Sequence, residues 1–197
     1  PSPVSTMGTQ SLMHSFFGYL LNLKPFMTDE KKFSDPKNHK VISKNLNEMG
    51  DLSKTADHQA PLTSTQFKFS KDVLHEHMLE TARVFKTGNK GYARWMLNST
   101  LGVCMSCHTQ LPSVSKSFMD LKSSQSFTSK FDRGQFLFAT RDFDRAAENY
   151  TAIVKNYPKE HLTTPQLEVS LERLLAYYAR IKRQPDVAIK KLQALNE

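Results

Sequence analysis

The sequence has little of what β-structure requires. Only seven of its 197 residues are glycine, and stretches in which β-branched residues alternate with polar ones are scarce. Long stretches are instead rich in Leu, Ala, Lys, Glu and Met, residues with high helix propensity. We therefore predict an all-α protein.

Long hydrophobic runs are also missing. No apolar run reaches the about eighteen residues that a membrane-spanning helix needs, and the longest, residues 16–23, is interrupted by Gly18 and Asn22. The sequence therefore predicts no membrane span. The chain begins with Pro1 rather than Met, and we expect that a secretory leader has been removed.

The excess of positive charge is modest. Twenty-seven Lys and Arg against 19 Asp and Glu give a net charge of +8, which divides evenly between residues 1–120 and 121–197. A nucleic-acid-binding protein concentrates its positive charge in a dense stripe or patch, so this distribution argues against nucleic acid as a partner. The surface is either simply soluble and basic, or it attracts an acidic partner.

The only two cysteines lie close together. Cys104, Cys107 and His108 belong to the sequence Cys-Met-Ser-Cys-His. This spacing lets two thiols bond the two vinyl groups on one edge of a porphyrin while the adjacent imidazole lies beneath the iron. The sequence therefore predicts one covalently bound haem c, attached by Cys104 and Cys107, with His108 as an axial iron ligand.

Three other uses of this cysteine pair fit the sequence less well. A structural zinc site needs four ligands, and no second Cys or His pair occurs at short spacing. A thioredoxin-type redox pair follows a strand, whereas the surroundings here are helical. A disulfide across two residues is strained inside a helix. Because haem is attached in this way outside the cytoplasm, we expect a bacterial periplasmic location.

Four amphipathic segments occupy residues 1–112. They cover about 6–27, 37–57, 70–87 and 92–112, with Ser70 or Asp72 as candidate N-cap of the third. In the fourth, Leu97, Leu101, Cys104 and His108 are four, three and four residues apart, so the ligand shares a face with apolar leucines. Four comparable helices joined by short loops predict an antiparallel four-helix bundle, with the haem inside it near one end.

A bundle with its Cys-x-x-Cys-His near the end of the last helix resembles the cytochrome c′ family. The stretch Leu-Met-His-Ser-Phe-Phe-Gly at 12–18 is similar to that family's first helix, and Leu-Gly-Val-Cys-Met-Ser-Cys-His at 101–108 is similar to its last. The resemblance covers about residues 5–112. Family members commonly carry an aromatic and a basic residue after the ligand His, where this chain has Thr-Gln-Leu-Pro at 109–112. We therefore expect different electrostatics on the proximal side. Because members of the family are often dimers, the resemblance also implies a homodimer.

The resemblance leaves the second axial position of the iron open. In the family this position is empty, shielded by an apolar side chain, or filled by a Met of the first helix. Met13 is the first choice as iron ligand, with Met7 and His14 as alternatives, although a Met on an apolar face is often core filler. An empty position favours binding of NO or CO, whereas Met ligation favours electron transfer.

Other His and basic residues have weaker claims to a role in this site. His75 and His77, two residues apart, point to different faces of a helix and do not form a metal pair, so we expect surface or loosely packed residues. Lys90, Arg94 and Lys116 flank the predicted haem helix. They either pair with the haem propionates or are solvated charges.

The C-terminal part has a different pattern. Gly134, Ala146, Tyr150 and Pro158 are separated by twelve, four and eight residues, which resembles the tetratricopeptide repeat. We expect helices at about 128–140, 143–156, 164–182 and 185–195, with a turn at Arg141 and Asp142. The predicted domains are therefore a haem bundle, 1–117, and a tetratricopeptide-like module, 118–197. Two repeats are fewer than usually stand alone, so they lean on the bundle or the native chain extends further.

The sequence predicts a periplasmic monohaem c-type cytochrome, not an enzyme, that transfers electrons and docks a redox partner protein through the helical repeats. The alternative is a protein whose five-coordinate haem binds or senses NO or CO. An enzyme such as a peroxidase is less favoured, because the sequence contains no recognisable acid–base constellation. The C-terminal helices either dock the partner or only extend or dimerise the bundle.

Overall fold

The computed structural model describes residues 9–54, 65–109, 127, 129–157, 159 and 162–194. Every regular element in these residues is helical, so the all-α prediction is confirmed. By its internal contacts the chain divides into two compact units, Pro1–Cys104 and Met105–Glu197. The domain boundary predicted at 117–118 lies outside the described residues. Among the helices that are described, none has the length and apolar character to cross a membrane.

The described part of the first unit contains four helices and most of a fifth. These are α1 (Thr9–Thr28), α2 (Glu30–Ser34), α3 (His39–Lys54), α4 (Thr65–Lys86) and α5 (Lys90–His108), with a 3-10 turn at Pro36–Asn38. Helix α3 packs most extensively against α4 and also contacts α1. The four long helices overlap the four segments expected from the sequence.

The core of the first unit follows the three- and four-residue spacing of the apolar side chains. Each long helix has a buried apolar stripe, and packing of such a stripe supplies most of the stability of a helix in a protein. Burying one such side chain completely contributes about 1.5–3 kcal/mol. The buried residues of the stripes are Leu20, Leu23 and Met27 on α1, Ile42, Leu46 and Met49 on α3, and Met78, Ala82 and Phe85 on α4.

The N-cap predicted for the third segment is wrong. Helix α4 begins at Thr65, so Ser70 and Asp72 both lie inside it. Ser70 is buried within the helix, and helix propensity is weak enough that packing overrides it. The apolar spacing that begins near Leu74 therefore marks where the helix becomes buried, not where it starts.

Two histidines of α4 join that helix to its neighbours. His75 Nδ1 lies 2.8 Å from the carbonyl oxygen of Gly50 on α3, and His77 Nε2 lies 2.8 Å from the carbonyl oxygen of Met96 on α5. Because a carbonyl can only accept, each ring donates a hydrogen bond to it. Both side chains are partly buried. The expectation of surface or loosely packed residues is therefore wrong, because the two rings face opposite neighbours and each finds a backbone acceptor there.

In the second unit the structure describes the last residues of α5 and four further helices. These are α6 (Lys130–Ala139), α7 (Phe143–Lys155), α8 (Thr164–Ala176) and α9 (Pro185–Gln193), with a π-helical turn at Tyr177–Ile181 that continues α8. Helix α7 packs against both α6 and α8, and α9 packs against α8 and the π-helical turn.

The packing of α6 on α7 depends on Gly134. A Cβ atom at this position would lie 2.8 Å from Cε1 of Tyr150, closer than real Cβ contacts. The Tyr150 ring is completely buried, and its hydroxyl donates a 2.7 Å hydrogen bond to Oε1 of Gln135. The close helix approach that the repeat pattern implies is therefore present at this pair. Pro158, the last residue of that pattern, lies outside the described residues.

Candidate functional site

The Cys-Met-Ser-Cys-His sequence forms the end of α5. The helix is continuous from Lys90 to His108, so Cys104, Cys107 and His108 all occupy its last turns. Leu101 and Leu97, one and two turns before Cys104 on the same face, are buried. Cys104 and His108 are partly buried, whereas the side chain of Cys107 is outside the described part of the structure. The apolar face of α5 therefore continues into residues that solvent can still reach.

The imidazole of His108 is held by a backbone carbonyl. Its Nδ1 lies 2.6 Å from the carbonyl oxygen of Ala139, the last residue of α6. Since this oxygen can only accept, Nδ1 carries the proton and the lone pair of the ring is on Nε2. The carbonyl is one of the last four of a helix, which lack partners within the helix and carry its partial negative charge. The contact therefore fixes both the tautomer and the orientation of the ring.

The same surroundings keep His108 neutral. The pKa of His108 is lowered to about 4, mainly by burial and to a smaller extent by the positive charge of Arg141, while the hydrogen bond to Ala139 acts in the opposite direction. A neutral imidazole with its lone pair on Nε2 is the form that binds a metal ion. At neutral pH the ring is therefore already in the protonation state that an axial ligand needs.

Arg141 follows directly after the end of α6 in a backbone conformation that favours glycine. Its φ is +68°, and such a conformation costs a side-chain-bearing residue about 1–2 kcal/mol. Its N–H donates to the carbonyl of Phe138 (3.1 Å), and the N–H of Asp142 donates to that of Leu137 (2.9 Å). These two bonds are the Schellman pattern of a helix C-terminus, in which Gly usually occupies the position of Arg141.

The candidate second ligands are on α1 or before it. Met13 is partly buried and His14 is exposed, and Met7 lies outside the described residues. These candidates therefore stay open. In the described ranges, no three side chains among His, Cys, Asp and Glu come together as a multi-residue metal site.

Two of the basic residues considered for the site, Lys90 and Arg94, have partners of their own. Lys90 Nζ donates to the carbonyl of Phe85 and lies 3.5 Å from the centroid of the Phe85 ring. Arg94 Nη1 is 3.8 Å from Oε2 of Glu30. Along the helix, Lys90 is about 27 Å from His108, so the contacts of Lys90 favour neither a propionate partner nor a freely solvated charge. Lys116 lies outside the described residues.

Two features of the site do not emerge from sequence reasoning. The carbonyl of Ala139 is a backbone group 31 residues from His108, and no side-chain pattern marks it. Arg141 falls in the turn predicted after residue 140, but local sequence preference points to Gly at a positive φ. The contact between His108 and the carbonyl of Ala139, and the effect of Arg141 on His108, could therefore be found only once the fold was known.

Comparison with known proteins yields no matching family model, no matching curated protein and no matching solved structure.

Proposed function

We propose that this chain is a periplasmic monohaem c-type cytochrome, with Cys104 and Cys107 attaching the haem and His108 binding its iron. The observation that carries the proposal is the 2.6 Å hydrogen bond from His108 Nδ1 to the carbonyl of Ala139. Metal-binding histidines almost always donate their other ring N–H to a carbonyl, carboxylate or water, which orients the ring and raises its basicity. Once bound, haem would supply a one-electron iron couple.

The surroundings of the motif suit electron exchange. Leu97 and Leu101 are buried, whereas Cys104 and His108, further along the same face of α5, are only partly buried. A group attached to this end of the helix would lie at the edge of the packed interior. Electrons could then pass between this edge and a partner.

The architecture we propose is a cytochrome c′-like antiparallel four-helix bundle of α1, α3, α4 and α5, with α6–α9 as a tetratricopeptide-like module. Packing of α3 against α1 and α4 supports the bundle, together with the hydrogen bond from His77 of α4 to Met96 of α5. Close packing at Gly134 and Tyr150 supports the repeat.

Partner docking is proposed for the C-terminal helices. The second unit has a cleft of about 760 Å³ between α7 and the π-helical continuation of α8, lined in part by Glu148, Lys155, Tyr178 and Lys182. Its lining offers both signs of charge and an aromatic ring, a mixture that suits a protein surface better than an apolar ligand. The net charge of +8 favours an acidic redox partner.

The test of haem attachment is a comparison of variants made in a host with cytochrome c maturation machinery. We expect purified wild-type protein to be red and to give the reduced pyridine spectrum of haem c. Replacing Cys104 and Cys107 together by Ala should abolish this spectrum after denaturation, whereas Ser106→Ala, which changes an exposed neighbour, should retain it. A colourless wild-type protein would contradict the proposal.

The ferrous spectrum with and without CO identifies the second axial position. A six-coordinate haem that does not respond to CO would support electron transfer and exclude the gas-binding alternative. Met13→Ala should then convert the haem to a five-coordinate form that binds CO. If wild-type haem is already five-coordinate, Met13 is not a ligand and the gas-binding alternative gains support.

A further inference from the structure

Arg141 is an unusual residue for its position in the backbone. It follows the C-cap residue Thr140 of α6, where its φ of +68° favours glycine. A residue kept in an unfavourable conformation points to a role for its side chain. Arg183, the other described residue with a side chain and a positive φ, has a φ of +56° and is exposed. Arg141, in contrast, is partly buried.

The turn connects Arg141 directly to the proposed axial ligand. Ala139, whose carbonyl accepts the hydrogen bond from His108, precedes Arg141 by two residues. The backbone bonds of Arg141 to Phe138 and of Asp142 to Leu137 fix this connection. The carboxylate of the adjacent Asp142 lies 3.0 Å from Nε of Arg145. The turn therefore places Arg141 two residues beyond the carbonyl that holds the His108 ring, close enough for its positive charge to lower the pKa of that ring.

We propose that Arg141 is a positioning residue of this site, whose guanidinium binds a propionate carboxylate of the haem attached beside His108. The inference rests on the proposed function. A planar guanidinium matches a carboxylate in a two-point hydrogen bond. It remains charged even where burial lowers its pKa, as it does for Arg141. A fixed positive charge near the iron also favours the ferrous state, so Arg141 raises the reduction potential.

The test uses the haem-containing full-length protein and three substitutions. Arg141→Gly removes the guanidinium and suits the backbone, so folding is retained. Arg183→Gly makes the same change at an exposed turn and is the matched control. Arg141→Lys keeps the positive charge. Thermal unfolding by circular dichroism checks that each variant folds, and Arg141→Asn, which also tolerates a positive φ, replaces Arg141→Gly if needed.

The midpoint potential is the first readout. We expect Arg141→Gly to shift the redox equilibrium at least tenfold toward the ferric state, which is about 59 mV for one electron. Arg183→Gly should leave the midpoint potential unchanged, and Arg141→Lys should keep the midpoint potential close to the wild-type value. Equal midpoints in Arg141→Gly and Arg183→Gly would overturn the proposal, as would an equal fall in Arg141→Lys and Arg141→Gly.

The resonance Raman band of propionate bending is the second readout, because it responds to hydrogen bonding of the carboxylate. We expect this band to shift in Arg141→Gly and to stay in place in Arg183→Gly. A band that does not move in Arg141→Gly would overturn the proposal even if the midpoint changed. Failure of the proposed function is distinguishable, since the wild-type protein would then carry no covalent haem at all.

Discussion

Acid should destabilise the haem-free chain through the imidazole of His108. Burial lowers the pKa of this group from 6.5 to about 4 in the folded state, so the unfolded chain binds the proton more tightly. The contribution of the neutral ring to the free energy of unfolding is therefore fully present above pH 6.5 and is lost as the pH falls toward 4. One pKa unit corresponds to about 1.4 kcal/mol, so the loss between about pH 7 and pH 4 is about 3 kcal/mol.

The assay compares haem-free wild-type protein with His108→Gln by urea unfolding across this pH range. Glutamine keeps a donor for the carbonyl of Ala139 but does not titrate. Other acidic and basic groups titrate in both proteins, so the difference between the two pH profiles isolates His108. We expect the free energy of unfolding of wild-type protein to fall by about 3 kcal/mol more than that of the variant. Parallel profiles would refute the reasoning.

Three other predictions concern packing, a hydrogen bond and charge. Gly134→Ala should lower the free energy of unfolding by about 1–3 kcal/mol, because its Cβ would meet the buried Tyr150 ring. Gly18→Ala, which has open space around its Cβ, should raise the free energy of unfolding by up to about 1 kcal/mol. If urea titrations gave the same change in the free energy of unfolding for Gly134→Ala and Gly18→Ala, they would contradict this prediction. His77→Ala should cost about 1 kcal/mol, since its ring donates to the carbonyl of Met96; an unchanged urea midpoint would argue against that bond. Stopped-flow oxidation by an anionic reagent should slow as salt rises, because the net charge is +8, while a salt-insensitive rate equal to that of a neutral reagent would argue against steering.

Helix positions were predictable because the apolar spacing is physically tied to burial. Ile42, Leu46 and Met49 recur at helical steps and are buried. The turn predicted at Arg141 and Asp142 is confirmed, since α6 ends at Ala139 and α7 begins at Phe143. The first residues of helices were harder to predict. Helix α4 begins five residues before Ser70. The prediction failed there because a residue suited to capping can also lie inside a helix that packing stabilises.

The candidate site was only partly predictable. The spacing of Cys104, Cys107 and His108 matches what attachment to a porphyrin would require, so the haem hypothesis can be formed without a fold. The acceptor for His108 is the backbone of Ala139, and backbone carbonyls leave no trace in the sequence of side chains. The π-helical turn that begins at Tyr177 was likewise expected to be regular helix, because its residues have ordinary helical spacing.

The most direct test of the central claim is the intact mass of wild-type protein purified from a host that attaches haem to cytochromes c. We predict a mass equal to that of the polypeptide plus one haem, unchanged by denaturation and by acid extraction of loosely bound cofactor. A mass equal to that of the polypeptide alone, when a control cytochrome from the same cells carries its haem, would contradict it.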